Sequence, residues 1–190
     1  MKAEKAEIRK SCLTARDAIP TEERIEKSLT IADLGHDAIA FEPGTIISGF
    51  MPIRSEVDIR PLMADLRSRG AKLCLPVVLD KETIVFRAFE REAPLIETGF
   101  GTMGPGPDAA IVDPEIMLVP LSAFDDQGTR IGYGGGFYDR AIERLHAKGK
   151  VPKLIGIAFD LQKVEKVPAE PHDIYLDAIL TESGLQLFKE

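Results

Sequence analysis

The densest chemistry in the chain is the run Arg130-Ile131-Gly132-Tyr133-Gly134-Gly135-Gly136-Phe137-Tyr138-Asp139-Arg140. It follows an apolar strand pattern and opens a helical one. Glycines let the backbone approach a ligand closely and aim successive N–H groups at it. A helix N-terminus adds partial positive charge, and Arg130 and Arg140 add formal charge. The run reads as a phosphate cradle. The competing reading is a flexible glycine-rich connection, which would lose entropy on folding without a compensating contact. Asp139 reads equally as a magnesium ligand beside a phosphate or as a first-turn acid favoured by the helix dipole. Asp173, in Pro171-His172-Asp173, reads by itself as a solvated loop acid. Lys5, Arg9 and Arg16 stand on one stripe of an N-terminal helix at spacings of four and seven. A solvated face balanced by Glu4 and Glu7 is the plainer reading of that stripe; reach to a polyphosphate is the sharper one.

Other chemistries are not indicated. No stretch fits GxxxxGK[ST]. A GxGxxG match at Gly99 to Gly104 is followed by Pro105-Gly106-Pro107, so the helix that a dinucleotide fingerprint requires cannot start there. His36, His146 and His172 lack metal-ligand spacing, and neither HExxH nor GxSxG occurs. With 24 Lys and Arg against 31 Asp and Glu, the net charge is −7, which argues against sequence-independent binding of nucleic acid. The 2 cysteines, Cys12 and Cys74, make no CxxC, so neither a disulfide framework nor a Cys-rich zinc site is expected. No apolar run approaches the length of a membrane span, and Met1 to Lys10 is charged throughout, unlike a secretory signal. The expectation is a cytoplasmic protein that contacts neither nucleic acid nor membrane.

The elements that must position these residues follow from periodicity. Ile8, Cys12, Ala15 and Ile19 make one face of a helix that Pro20 ends. Thr21 is the expected N-cap of a second helix through Ile25, Leu29 and Ala32, with Gly35 weakening its end. Apolar runs at Thr45–Phe50, Leu73–Val78, Ile84–Phe89, Ile116–Pro120 and Leu154–Phe159 read as strands, with a short sixth at Ala178–Leu180. Helical spacing places Ile59, Leu62, Met63 and Leu66 on one inward face, and Ala141, Ile142 and Leu145 on another. The stretch from Glu90 to Pro114 reads as irregular. Strands alternating with helices predict an α/β fold: one domain over residues 1–190, three layers, and a mostly parallel sheet covered on both faces. Ligands in such sheets bind beyond the carboxyl ends of the strands.

Together these residues resemble the 5-formyltetrahydrofolate cyclo-ligase family over nearly the whole length. The resemblance is carried by Lys5 with Arg9, by Arg16, by Thr21-Glu22-Glu23-Arg24 with Ser28, and by Phe50-Met51-Pro52 with Ser55-Glu56-Val57-Asp58. It continues through Leu75-Pro76, the segment Val119-Pro120-Leu121-Ser122-Ala123-Phe124-Asp125 running on to Arg140, Gly156-Ile157-Ala158-Phe159, Gln162, Pro168 and His172-Asp173.

The resemblance implies the three-layer fold shared with some sugar-phosphate isomerases and CoA transferases. It also implies an ATP- and Mg²⁺-dependent closure of 5-formyltetrahydrofolate to 5,10-methenyltetrahydrofolate, with a reduced folate as small-molecule partner; a monomer is the expectation, although the sequence itself is silent on oligomeric state. By match to the family, Lys5, Arg9 and Arg130 would hold ATP phosphates, with Arg130 also catalytic. Gly132, Tyr133, Gly134, Gly135, Gly136, Phe137 and Tyr138 would line the nucleotide. Phe50, Met51, Glu56, Phe100 and Tyr138 would contact the folate, and Asp139 and Asp173 would bind magnesium. Two positions depart from the family pattern. Gly104 stands where many members carry Glu or Gln, and Gly135 where some carry Lys or Arg. Gly104 motivates one alternative, a relative that binds ATP or pterin without this turnover or acts on another N-formyl substrate. A sugar-phosphate enzyme of the same architecture is another, but it would want a general base and no magnesium.

Overall fold

A computed structural model describes residues 1–99 and 101–188. Two helices open the chain, α1 (Lys2–Asp17) and α2 (Thr21–Ala38). Then come β1 (Ile46–Ser48), α3 (Arg60–Ser68), β2 (Lys72–Val78) and β3 (Ile84–Ala88). A hairpin, β4 (Leu95–Gly99) and β5 (Thr102–Pro105), precedes β6 (Ile116–Pro120). The ribbon β7 (Ala123–Phe124) and β8 (Arg130–Ile131) leads into α4 (Phe137–Ala147). The chain finishes with β9 (Lys153–Ile157), β10 (Ala178–Thr181) and β11 (Gly184–Leu187).

The main sheet has 7 strands in the order β11-β10-β9-β6-β1-β2-β3. From β10 to β2 every neighbouring pair is parallel, and β11 and β3 close the two edges antiparallel. The central strands are apolar on both faces, which a sheet covered on both sides demands. In β6, Ile116 and Leu118 join a core with Ile31 of α2 and Leu62 and Leu66 of α3. Met117 and Val119 join an opposite core with Ala141, Ile142 and Leu145 of α4. The same alternation of faces runs through Leu73, Cys74 and Leu75 of β2 and Ala178, Ile179 and Leu180 of β10. Three layers result, as the pattern predicts. A satellite cluster of Cys12, Ala123, Ile131 and Val167 seats α1 on the β7–β8 ribbon.

Several details differ from the sequence expectation. Pro20 occupies the cap position of α2, with extended backbone, and Thr21 is the first helical residue. Gly35 does not end α2, which continues to Ala38. It is buried where a Cβ would lie 2.7 Å from Leu62 Cδ1, so the glycine serves the close approach of α2 to α3. The stretch read as irregular contains the β4–β5 hairpin, and the GxGxxG match is that hairpin's turn, with no helix after it. Strands β7, β8 and β11 are too short or too polar to show as apolar runs.

Leu118 is fully buried at the centre of the sheet. Leu118→Ala should cost about 2–5 kcal/mol of unfolding free energy. A urea titration should show this as a lower midpoint at unchanged slope.

Candidate functional site

A cavity of about 600 Å³ opens at the carboxyl ends of β1, β2 and β6, where an open α/β sheet binds its ligands. One side of it is the turn between β8 and α4. Gly134 and Gly136 adopt left-handed backbone, at φ +95° and +68°, which glycine alone tolerates readily. Arginines crowd the same turn. A Cβ on Gly134 would lie 3.5 Å from Arg9 Nη1, and one on Gly136 only 2.8 Å from Arg140 Nη1. Arg9 donates from Nε to the Gly132 carbonyl at 3.0 Å. The first N–H groups of α4 point out of the helix toward this turn with no partner within the helix.

The turn is held from beneath by buried polar groups. Ser122 donates to the carbonyls of Ile131 and Gly132, at 2.9 and 3.0 Å. Asp125 accepts from the backbone N–H groups of Gln127, Thr129 and Val167. Gln162 donates to the carbonyls of Leu121 and Ser122. Burying such groups is tolerable only because each is bonded. The polar residues in the segment after β6 thus build the platform for the glycine turn and stand behind the cavity wall.

The charged residues meet as pairs. Arg130 Nη2 lies 2.6 Å from Asp139 Oδ1. Lys5 Nζ lies 3.1 Å from Asp173 Oδ2, and that oxygen also accepts from the Glu170 N–H at 2.8 Å. Asp173 is therefore a bonded, largely covered acid, unlike the solvated loop acid its local sequence suggests. Lys5 and Arg9 are half-buried, and Arg16 is only 3% exposed, so the basic stripe of α1 faces the cavity instead of solvent. Ligand atoms of Glu170, His172 and Asp173 lie within 4.8 Å of one another; Asp139 is not in that cluster. Asp139 and Asp173 both line the cavity. The carboxylate oxygens of Glu170 and Asp173 are hard donors of the kind magnesium takes, and Asp139 stands apart from them.

Several donors here have no acceptor. Arg130 Nε, Arg140 Nη2 and Tyr138 Oη are buried without a hydrogen-bond partner among the described residues. Each such orphan costs about 1–3 kcal/mol, and all three belong to the segment of the glycine turn. An anionic ligand at the turn is of the chemical type that would relieve the cationic pair. Tyr138 packs edge-on against Phe86 with ring centroids 6.3 Å apart, and burial pushes its hydroxyl pKa well above the usual range.

The opposite side of the cavity is apolar with one acid. Phe50 and Met51 follow β1, and Glu56 lies beyond them, 7% exposed. Glu56 accepts from the Ile53 N–H and from the Tyr133 hydroxyl, both at 2.7 Å. Arg16 donates from Nη1 to the same Tyr133 oxygen at 2.8 Å and from Nε to Ser55 Oγ at 2.9 Å. Ser55 in turn donates to Asp17. Tyr133 as a whole is 45% exposed, while its hydroxyl bonds to these partners. Arg16 and Tyr133 thus join α1, the glycine turn and the loop after β1. Arg16 enters through this network, which its place on the basic stripe hints at but does not specify. Burial pushes Glu56 above the usual carboxylate range, against the opposing effects of Tyr133, the Ile53 N–H and Arg16.

Phe100 lies outside the described residues. Gly104 is buried, and a Cβ on it would meet Val77 Cγ2 at 3.2 Å and the Pro76 carbonyl at 3.4 Å. A side chain at Gly104 would start toward β2. A Cβ on Gly135 would lie 3.0 Å from the Phe137 ring, so a longer residue there requires that ring to shift.

The sequence model of the 5-formyltetrahydrofolate cyclo-ligase family matches residues 1–182. The chain belongs to that family. The 5-formyltetrahydrofolate cyclo-ligase of Escherichia coli K12 is 33% identical over 143 residues, which cover 72% of this chain and 78% of that one. The Mycolicibacterium smegmatis cyclo-ligase is 28% identical over 185 residues, covering 93% of each chain. Among solved structures, the Aquifex aeolicus 5,10-methenyltetrahydrofolate synthetase superposes with a TM-score of 0.82 at 30% identity, over 98% of this chain and 93% of that one. The Mycoplasma pneumoniae synthetase gives 0.75 at 25% identity, over 94% and 98%. The cyclo-ligase fold and its mostly parallel sheet are therefore those of the family.

Because burial raises the Glu56 pKa, the folded state binds more protons than the unfolded one between 4.5 and the raised value. Glu56 therefore favours folding most below that window, and this contribution is lost as pH rises through it. Each unit of elevation corresponds to about 1.4 kcal/mol. Urea unfolding of the wild type should show this loss across the window, and Glu56→Gln should abolish it. Parallel pH profiles for the two proteins would refute the assignment to Glu56.

Proposed function

We propose that this protein closes 5-formyltetrahydrofolate to 5,10-methenyltetrahydrofolate at the expense of ATP, releasing ADP and phosphate. The observation that supports this most is the single cavity with two chemically opposite walls. One wall is the glycine turn with Arg9 and Arg130; the other is Phe50, Met51 and the acid Glu56. A polyphosphate suits the first. A flat, apolar ring with polar edges suits the second, with Glu56 accepting from the pterin edge.

The chemistry needs both walls at once. The formyl oxygen on N5 is amide-like and leaves poorly. It attacks the γ-phosphorus of ATP, its bond to phosphorus forms, and the bond to the ADP oxygen breaks. N10 then attacks the activated formyl carbon, the carbon–oxygen bond breaks, and phosphate departs; the N10 proton is lost to phosphate or solvent. Phosphoryl transfer asks the protein chiefly for position and charge. Arg130 faces the transferring group, Lys5 and Arg9 hold the neighbouring phosphates, and the amides of Gly132 to Tyr138 complete the cradle. Asp139 and Asp173 would hold magnesium, which when bound neutralises phosphate oxygens. Buried free thiols at Cys12 and Cys74, and the absence of a helix able to cross a membrane among the described residues, accord with a cytoplasmic enzyme. Monomeric action on a reduced folate completes the reading.

Purified protein mixed with 5-formyltetrahydrofolate, ATP and Mg²⁺ should generate the near-ultraviolet absorbance of the methenyl product. That growth should vanish when ATP or Mg²⁺ is omitted. ATP binding without product in the complete mixture would refute the proposal in favour of a non-catalytic binder.

Arg130→Ala should lower turnover by about 10²–10³-fold, the scale of one lost charge-stabilising donor, with folate affinity within about 3-fold of wild type. Equal losses in both would remove Arg130 from the phosphates. Asp139→Asn should shift the magnesium titration several-fold upward, with turnover returning at saturation. A loss that persists at saturating magnesium would mean that Asp139 acts by positioning Arg130.

A further inference from the structure

Arg16 is 3% exposed, lines the cavity, and forms no ion pair among the described residues. Its Nε donates to Ser55 and its Nη1 to the Tyr133 hydroxyl oxygen. Asp17, its neighbour in sequence, is engaged by Ser55 instead. A buried cation without a carboxylate in contact is costly. Compensation reaches Arg16 from Glu56, by way of Tyr133. Tyr133 belongs to the glycine turn, yet its hydroxyl serves the opposite wall of the cavity.

The directions of these bonds follow from the donor inventory. Arginine donates and never accepts. Tyr133 Oη therefore accepts from Arg16 at 2.8 Å, and its single proton must go elsewhere. Glu56 Oε2 lies 2.7 Å away, while the Leu121 carbonyl, the other acceptor in reach, is at 3.3 Å. The proton goes to the closer partner, which is also the charged one. The Ile53 N–H, another obligate donor, meets the second Glu56 oxygen at 2.7 Å. A proton on Glu56 Oε2 would force the phenol to turn to the longer contact. Both oxygens are thus held as acceptors, and a carboxylate has further lone pairs for a ligand.

We propose that Arg16 is a positioning residue that acts through Tyr133: it turns the phenolic proton onto Glu56 and so holds that acid ionised, as an acceptor for a ring edge with adjacent N–H donors. In the function proposed above, on which this rests, that edge belongs to the pterin. A ring presenting acceptors there would be repelled by the same carboxylate. Arg16 need not touch the substrate. Burial acts in the opposite sense and favours the neutral acid, so the Arg16–Tyr133 bond decides a contest. Other charged and titratable groups surround Glu56. Asp17 of α1 is bonded to Ser55, and Tyr138 of α4 stays neutral because burial raises its hydroxyl. Asp58 of the same loop is paired with Arg60 of α3, and Arg54 and Arg24 line the adjoining hollow with Glu56.

Carbon-13 NMR of the whole protein, labelled at the glutamate carboxyls, reads the Glu56 titration midpoint without any ligand, and Glu56→Gln assigns the signal. Tyr133→Phe keeps the Arg16–Ser55 bond and cuts the relay; Arg16→Met removes the charge as well. Each should move the midpoint upward. Arg16→Lys keeps a cation and a donor and should move it less than Arg16→Met. Calorimetry with 5-formyltetrahydrofolate, without ATP, should show Tyr133→Phe binding up to about 10-fold more weakly between the two midpoints, the scale of one charge-assisted hydrogen bond. The difference should close below the wild-type midpoint, where both proteins carry a neutral acid. A midpoint unmoved in both variants, or an affinity loss equal at every pH, would reduce Arg16 to a brace for α1 and overturn the proposal. Should Arg16→Met fail to fold, Tyr133→Phe decides alone. A displaced midpoint in a protein that binds no folate would refute the function proposed above and leave the hold on Glu56 standing.

Discussion

The Arg16 guanidinium is buried at 3% exposure, and much of the site depends on how that charge is accommodated. A buried cation is tolerable only when its donors are engaged. Arg16 engages Ser55 and Tyr133, and through them Asp17 and Glu56. Those partners belong to the first helix, the loop after β1 and the glycine turn. One side chain thus ties the apolar wall of the cavity to its cationic wall. Neither loop has a regular ladder of its own at these positions, so the network supplies the order that secondary structure does not. The burial that raises Glu56 also makes this network costly to break, because any partner removed leaves a charge or hydroxyl with nothing to replace it.

The sheet determines where such a network can form. Parallel strands deliver all their carboxyl ends to one edge, and the loops after β1 and β6 emerge there side by side because those strands are direct neighbours. The ribbon β7–β8 then lifts the glycine turn over that edge. Its antiparallel bonds, together with Ser122, Asp125 and Gln162, take up polar groups that a plain loop would leave unpaired. Helix α4 leaves the turn with its N-terminus at the cavity and its apolar face, Ala141, Ile142 and Leu145, on the sheet. Core packing and the cavity-facing end of the glycine turn are therefore properties of one helix, set by its opposite requirements at side and end.

The layered fold was legible in the sequence because its strands are buried on both faces and read as unbroken apolar runs. Short strands were not. The β4–β5 hairpin mixes Glu97, Thr98, glycines and a proline, and only its pairing across a tight turn makes it sheet. The glycine turn was legible because local chemistry, glycines between a strand and a helix, carries its meaning. Arg16 was not, because its partners lie 39 and 117 residues away and periodicity shows only the stripe on which it stands. Asp173 was misleading for the same reason: its local sequence looks solvated, and Lys5, which covers it, is 168 residues distant.

The pairing of Arg130 with Asp139 and of Lys5 with Asp173 bears on how the cationic wall can serve a polyphosphate. Two cations facing an empty cavity would repel each other, with nothing to offset their burial. Two carboxylates beside a phosphate site would repel the ligand. Paired, each member satisfies the other without full desolvation, and Asp139 keeps 46% of its side chain in contact with solvent. In the function proposed above, a phosphate oxygen at Arg130 and a divalent cation at Asp139 would be complementary demands on one pair. Either alone would leave an unbalanced charge, and the two together restore neutrality. Under the function proposed above, the positions of these four side chains would favour joint arrival of phosphate and cation over either one singly, on electrostatic grounds.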